Sequence, residues 1–215
     1  MKETVILGKM DKLVPHLEAG LETIAKAGYK PVVRNLGGLA VVADQGILNF
    51  TLLFPQDSVK FEIKEVYQLM ADLVSKILIN YGCKVEVGEV PQSYCPGNFD
   101  LSISGKKFAG LAQRRIGRAL AISIYLSVSG DQAKRGQIVQ QFYQEGIRRE
   151  ETNFQYPDVD PTCMATLSEL LGKELSVNQV VQDLKETLSQ LGARLKNYEV
   201  TSLDQERYYE YLDKK

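Results

Sequence analysis

From Ile63 onward, the residues Ile63, Val66, Met70, Leu73, Ile77 and Tyr81 recur at steps of three or four until Gly82 stops the run. That is the helical period, and a stretch this long predicts an amphipathic helix over 63–81 that lays one apolar stripe on a hydrophobic surface. The surface is foretold on both sides of it. Residues 119–128, ALAISIYLSV, alternate with the period of two that marks a strand, and so do residues 83–90 before them. A helix between strand-like runs restricts the chain to sheet-plus-helix architectures.

The rest of the chain fills in that frame. Residues 4–8 are apolar and β-branched and predict a strand, and Leu13, Leu17, Leu21 and Ile24 predict a helix over 11–26 with Gly28 as its stop. Residues 29–54 read as a β-meander with turns at Gly37-Gly38 and at 43–46. Residues 106–115 pair antiparallel with 119–128 through a turn at 116–118. From Asp131 the composition shifts to helix formers, with helices predicted over 131–146, 162–171 and 177–191, the last capped by Ser176. Residues 148–160 form a connecting loop, and the end closes with a strand over 197–203 and a short helix. The fold class is therefore α/β in the α+β sense: a mixed, mostly antiparallel sheet flanked by helices, with a helical C-terminal region. Residues 1–130 make the α/β core, and residues 131–215 form the helical part of the same domain.

Composition removes several functions. The 26 basic and 27 acidic residues nearly cancel, so no global charge draws the chain to nucleic acid or anionic lipid. No apolar run approaches the roughly 20 residues that span a bilayer, and no signal peptide pattern opens the chain, which reads as cytoplasmic. The single histidine, His16, lies on the first helix, so a histidine-based triad would have to recruit it from there, a reading the residues disfavour, and a multi-histidine metal site has no material. No metal site and no cofactor are expected. Cys83, Cys95 and Cys163 have neither metal-motif nor disulfide spacing; Cys83 and Cys163 read as packed structural thiols.

Cys95 differs from the other two. It sits in a Pro-Gly turn inside PQSYCPGNFDLSISGKKFAGLAQRR, residues 91–115, and Lys107 opens the following β-like run. A thiol does acyl chemistry as its thiolate, and an adjacent ammonium favours that form below the ordinary value of about 8.5. A strand return could bring the two together. Spacing alone favours a turn cysteine and a solvated lysine.

The same residues carry a resemblance. Asp100 to Ile103, followed by Gly105-Lys106-Lys107-Phe108-Ala109-Gly110-Leu111-Ala112-Gln113, resembles the signature of the biotin/lipoate protein ligase and octanoyltransferase superfamily, in which a lysine precedes an x-x-Gly-x-Ala motif. The run from Arg34 through Asn35, Leu36, Gly37, Gly38 and Leu39 to Asp44 is similar to its acyl-pocket signature, and Ser93 to Gly97 resembles its cysteine-dependent branch, the octanoyl-[glycine cleavage H protein]:protein N-octanoyltransferases. The resemblance implies an octanoyltransferase with Cys95 and Lys107 catalytic and with Arg34, Gly37, Gly38, Gly110 and Ala112 at the acyl group. The implied donor is the glycine cleavage H protein and the implied acceptors are dehydrogenase lipoyl domains. It also implies that a leading helix and strand are missing from the start. ATP-dependent ligases of the superfamily usually carry a second arginine, a third glycine and a histidine where this chain has Val33, Leu39 and Ala43, which favours transfer over adenylation. Transfer from acyl carrier protein, ATP-dependent ligation and a binding-only role are the alternatives.

Overall fold

The computed structural model describes residues 3–34, 37–55 and 61–213. Strand β1 (Thr4–Leu7) lies between β2 (Lys30–Val33), which runs parallel to it, and β3 (Val41–Ala43), which runs antiparallel. The other sheet is antiparallel throughout, and its chain order is β4 (Ile47–Pro55), β5 (Glu86–Val87), β6 (Leu101–Ile103), β7 (Lys106–Ile116) and β8 (Ala119–Ser127). Spatially it runs β4-β8-β7-β6-β5. The expected fold class holds, with its sheet divided in two.

The meander expected over 29–54 does not form. β1 inserts between β2 and β3, and β4 leaves for the larger sheet at Gly46, whose φ of 97° suits a glycine. β1 can take the central place because Val5 and Leu7 are buried. The insertion sets β2 and β3 two strand spacings apart, roughly 9–10 Å. Gly37 to Ala40 then lie outside any ladder, which leaves their backbone N–H groups available for other partners.

The helix expected over 11–26 is broken. Met10–Leu13 is a short 3-10 turn, Val14 is extended at ψ 139°, and α1 begins afterwards (Leu17–Lys26). Pro15 is the cause, because the residue before a proline avoids helical backbone. Helix α2 (Ile63–Leu78) starts at a capping box, in which the Glu65 carboxylate accepts from Glu62 N–H at 2.7 Å, and a 3-10 turn carries it to Gly82 at φ 69°. Of the run expected over 83–90, only β5 pairs.

Helix α3 (Gln132–Ile147) is capped by Asp131, and α5 (Val177–Gln190) by Ser176 as expected. The helix expected over 162–171 splits: Pro161–Cys163 is a 3-10 turn, Met164 is extended and bridges in parallel to Lys107, and α4 (Leu167–Leu171) starts at a Thr166–Glu169 capping box. The strand expected over 197–203 is absent from the described residues. There the Tyr198 and Thr201 hydroxyls turn to Asp204 and cap α6 (Ser202–Asp213) instead.

Two cores result. Helix α2, with Leu167 and Val180 from α4 and α5, buries Met70, Val74 and Ile77 against Leu101, Phe108, Leu120 and Ile122 of the large sheet. α1 and α3 pack together with the small sheet around Val5, Ile24, Val42, Val139 and Phe142. Among the described residues no helix is long and apolar enough to cross a membrane.

Candidate active site

The large sheet turns small residues toward the small one. Register sets Gly110 opposite Tyr125 and Ala112 opposite Ser123, while Asn49 and Thr51 face the same two β8 residues from the other side. Side chains alternate along a strand, so these share one face. A β-bulge adds Lys107 to it: Ser102 pairs with Lys107 and Leu101 with Ala109, leaving Phe108 without a partner across the ladder. The extra residue reverses the alternation, so Phe108 and Ala109 enter the helix-side core while Lys107 joins the face of Gly110 and Ala112.

Between that face and the small sheet lies a cavity of about 270 Å³, walled by Ile6, Val32 and Val41 on one side and by Gly110, Ala112, Ser123 and Tyr125 on the other. Arg34, Tyr94, Cys95 and Lys107 also line it. A Cβ at Gly110 would lie 3.5 Å from Lys107 Cε, an ordinary contact, so the lysine does not itself require a glycine there.

Lys107 is 1% exposed, and its Nζ lies 3.0 Å from Ser93 Oγ, 3.1 Å from the Tyr94 carbonyl, 2.9 Å from the Cys95 carbonyl and 2.9 Å from Asp100 Oδ1. An ammonium has three N–H bonds, and these acceptors commit all of them. Asp100 ties the loop from its other oxygen, accepting Gly97 N–H at 3.1 Å and Val90 N–H at 3.3 Å. Burial pushes the Asp100 carboxyl above its ordinary range, and Lys107 pulls against that. The lysine thus meets Cys95 at its carbonyl oxygen. The expectation that it sits against the sulfur is replaced by a backbone clamp.

The sulfur has other donors. Leu39 N–H points at Cys95 Sγ from 3.0 Å and Arg34 Nη2 from 3.6 Å, while the same nitrogen holds the Leu39 carbonyl at 2.7 Å. Cys95 has φ 49°, a left-handed conformation that costs a non-glycine residue of order 1–3 kcal/mol. Gly38, at φ 96°, makes the approach possible: a Cβ there would sit 2.5 Å from Arg34 Nη2 and 2.9 Å from Cys95 Sγ. At Gly37 a Cβ would meet open space. Asn35 and Leu36 of the same signature lie outside the described residues.

The other thiols behave differently. Cys83 and Cys163 donate to the carbonyls of Leu78 and Asp160, and burial pushes both thiols up, away from thiolate. His16 bonds Glu150 at 2.6 Å on the surface.

Sequence reasoning missed a supporting network. Buried Asp11 accepts Gly8 N–H at 2.7 Å and the Tyr143 hydroxyl at 2.7 Å, and the Tyr143 oxygen accepts Ala40 N–H at 3.3 Å, one residue beyond the amide that serves the sulfur. Burial raises the Asp11 carboxyl, and burial together with Asp11 raises the Tyr143 phenol. Tyr94, next to Cys95, is held by hydroxyl contacts to Tyr125 at 2.6 Å and Gln132 at 2.9 Å, and burial pushes it up to about 12. Only the small-residue face, Gly110 and Ala112, left a trace in the sequence.

The two-sheet fold is that of solved lipoate-protein ligases. A putative lipoate protein ligase from Thermoplasma acidophilum with bound lipoic acid superimposes with a TM-score of 0.72 at 20% identity, covering 99% of this chain and 79% of that one. A lipoate-protein ligase A bound with ATP gives 0.74 at 21% identity, covering 100% and 79%. This chain belongs to the lipoyl protein ligase A/B catalytic domain family, whose sequence pattern matches residues 1–189. It is similar to the octanoyl-[GcvH]:protein N-octanoyltransferase of Geobacillus kaustophilus, 46% identical over 90% of this chain and 69% of the relative. The lipoyl-[GcvH]:protein N-lipoyltransferase of Listeria monocytogenes is 36% identical over 99% of this chain and 77% of the relative.

Proposed function

We propose that this chain is an N-acyltransferase of lipoate assembly, moving an octanoyl group from a lysine of the glycine cleavage H protein to a lysine of a dehydrogenase lipoyl domain through a thioester on Cys95. The observation that carries this reading is the Cys95 sulfur, which is held by a backbone N–H at 3.0 Å on the wall of an apolar cavity. The names of the Geobacillus and Listeria relatives support the donor.

In the first step the thiolate attacks the octanoyl amide carbonyl, forming the S–C bond. Collapse of the tetrahedral intermediate breaks the C–N bond, and the proton given up by the thiol ends on the departing lysine amine. In the second step the acceptor amine attacks the thioester and returns a proton to the sulfur. One lysine amide replaces another, so the exchange is nearly thermoneutral and asks only for a lowered barrier. In this reading Lys107, on the cavity wall, hands the proton to the departing amine.

The cavity walls take the acyl chain. Each methylene moved out of water contributes about 0.8 kcal/mol, and the same walls keep water from the thioester until the acceptor arrives. Arg34, Gly38, Gly110 and Ala112 shape the space around the carbonyl end. A lipoyl group shares the same carbon chain, and the name of the Listeria relative favours it as the second acyl substrate.

Intact mass spectrometry after mixing with octanoylated glycine cleavage H protein tests the reading. The expected result is an octanoyl adduct that hydroxylamine removes and that Cys95→Ala does not form. A folded protein that gains no adduct sinks the donor reaction. Octanoyl-acyl carrier protein, or octanoate with ATP, forming the adduct instead would move the assignment to those donors.

A further inference from the structure

Two arginines stand on the small-sheet side of the molecule, Arg135 buried and Arg34 half-buried, and they are satisfied very differently. Arg135, 1% exposed, has every arm occupied: Nε and Nη2 reach Asp44 Oδ1 at 2.8 and 2.7 Å, Nη1 reaches Ser127 Oγ at 3.2 Å, and Nη2 also reaches the carbonyls of Gln45 and Ser129 at 2.8 Å. That is an arginine used as a strut. Arg34 has no ion pair among the described residues. Its Nη2 divides between the Leu39 carbonyl and the Cys95 sulfur, and its Nε is buried with no hydrogen-bond partner. A buried donor left unpaired costs about 1–3 kcal/mol, a poor arrangement for a residue whose only task is to hold the fold.

The cation usually sought beside a reactive thiol is also spoken for. Lys107 shares its three N–H bonds among four oxygens, the Cys95 carbonyl and Asp100 Oδ1 among them, each at 2.9 Å. From the sulfur outward, the donors met are Leu39 N–H and the Arg34 guanidinium. Gly38 is what lets both reach it, since any side chain there would collide with Arg34 and the sulfur together.

We propose that Arg34 is a catalytic residue whose guanidinium, with the Leu39 N–H, holds the Cys95 thiolate, and that Lys107 sets the loop backbone instead of the charge on sulfur. The assignment rests on Cys95 being the nucleophile. It divides two tasks that one lysine would otherwise carry: Arg34 keeps the sulfur ionised before attack, and Lys107 keeps the loop in its left-handed shape and serves the departing amine.

The test uses the chain with Cys83→Ser and Cys163→Ser, so that Cys95 is the sole thiol. Its alkylation by iodoacetamide is followed across the pH range of thiol ionisation. Arg34→Gln is expected to move the inflection upward by about one pH unit or more, an approximately tenfold loss of thiolate below both inflections, while the rate at the alkaline plateau stays unchanged. Arg34→Lys, which keeps a cation on a shorter reach, is the second variant, with an inflection between the two. An Arg34→Gln protein with native melting behaviour and an unmoved inflection overturns the proposal, and so does an Arg34→Lys inflection displaced as far as that of Arg34→Gln. Octanoyl-adduct formation is measured on the same parent sample. A parent that alkylates normally but takes no octanoyl group counts against the transfer reaction alone and leaves the role of Arg34 to the pH profiles.

Discussion

The two cores of this protein are built from different materials. Around the large sheet, the buried residues packed with α2, α4 and α5 are aliphatic and phenylalanine side chains. Around the small sheet, the core carries Tyr29, Tyr94, Tyr125 and Tyr143, and the buried Asp11, Gln132 and Arg135 bond into it. Apolar packing is tolerant of shape and supplies stability, whereas a buried polar network fixes positions because each member costs free energy when a partner shifts. The large sheet therefore holds the molecule together, and the small-sheet side sets the geometry at Cys95.

The largest effect is expected where the two materials meet. Lys107→Met strands the Asp100 carboxylate, whose side chain is 2% exposed, and should lower the unfolding free energy by about 3–5 kcal/mol, read from a urea transition. Adding Asp100→Asn should recover part of that stability without restoring octanoyl-adduct formation. Recovery of both would erase the distinction between the two cores at this seam. On the apolar side, Ile122→Ala should cost about 2–5 kcal/mol. Ile122 is fully buried in the helix-side core, away from the cavity face, so adduct formation per folded molecule should stay near the parent's. A variant that stays folded but loses the adduct would break the comparison.

The smallest change in stability should come from Tyr143→Phe, which removes one oxygen between Asp11 and Ala40 N–H and costs about 1–3 kcal/mol. Here adduct formation should fall more than stability does, because the lost bond fixes the amide next to the one that serves the sulfur. Equal losses, measured by mass spectrometry and thermal melting on one sample, would reduce Tyr143 to a packing residue.

What could be read in the sequence divides along the same line. Helix α2 was legible because its apolar stripe is purely periodic, and the β7–β8 pairing because both strands alternate. The insertion of β1 between β2 and β3 was not, since a four-residue apolar strand carries no mark of its neighbours, and neighbouring runs pair by default. Cys95 and Lys107 were legible as residue types in a familiar spacing. The bulge at Phe108, which decides the face that Lys107 takes, breaks the period by one residue and reads as noise. Leu39 contributes a backbone N–H, a group that every residue but proline owns, so no side-chain pattern could have announced it.

Lys107 is also joined to a segment far along the chain: it bridges in parallel to Met164, its carbonyl accepts Ala165 N–H at 3.0 Å, and Gln92 of the thiol loop accepts Asp160 N–H at 2.8 Å. A chain leaves the ribosome N-terminal end first, at roughly 5–20 residues per second. The strands that wall the cavity are then out before the stretch from Asp160 to Ala165 that braces Lys107 and the loop. Assembly order thus leaves Lys107 and the Cys95 loop without this brace until residues 160–165 have emerged.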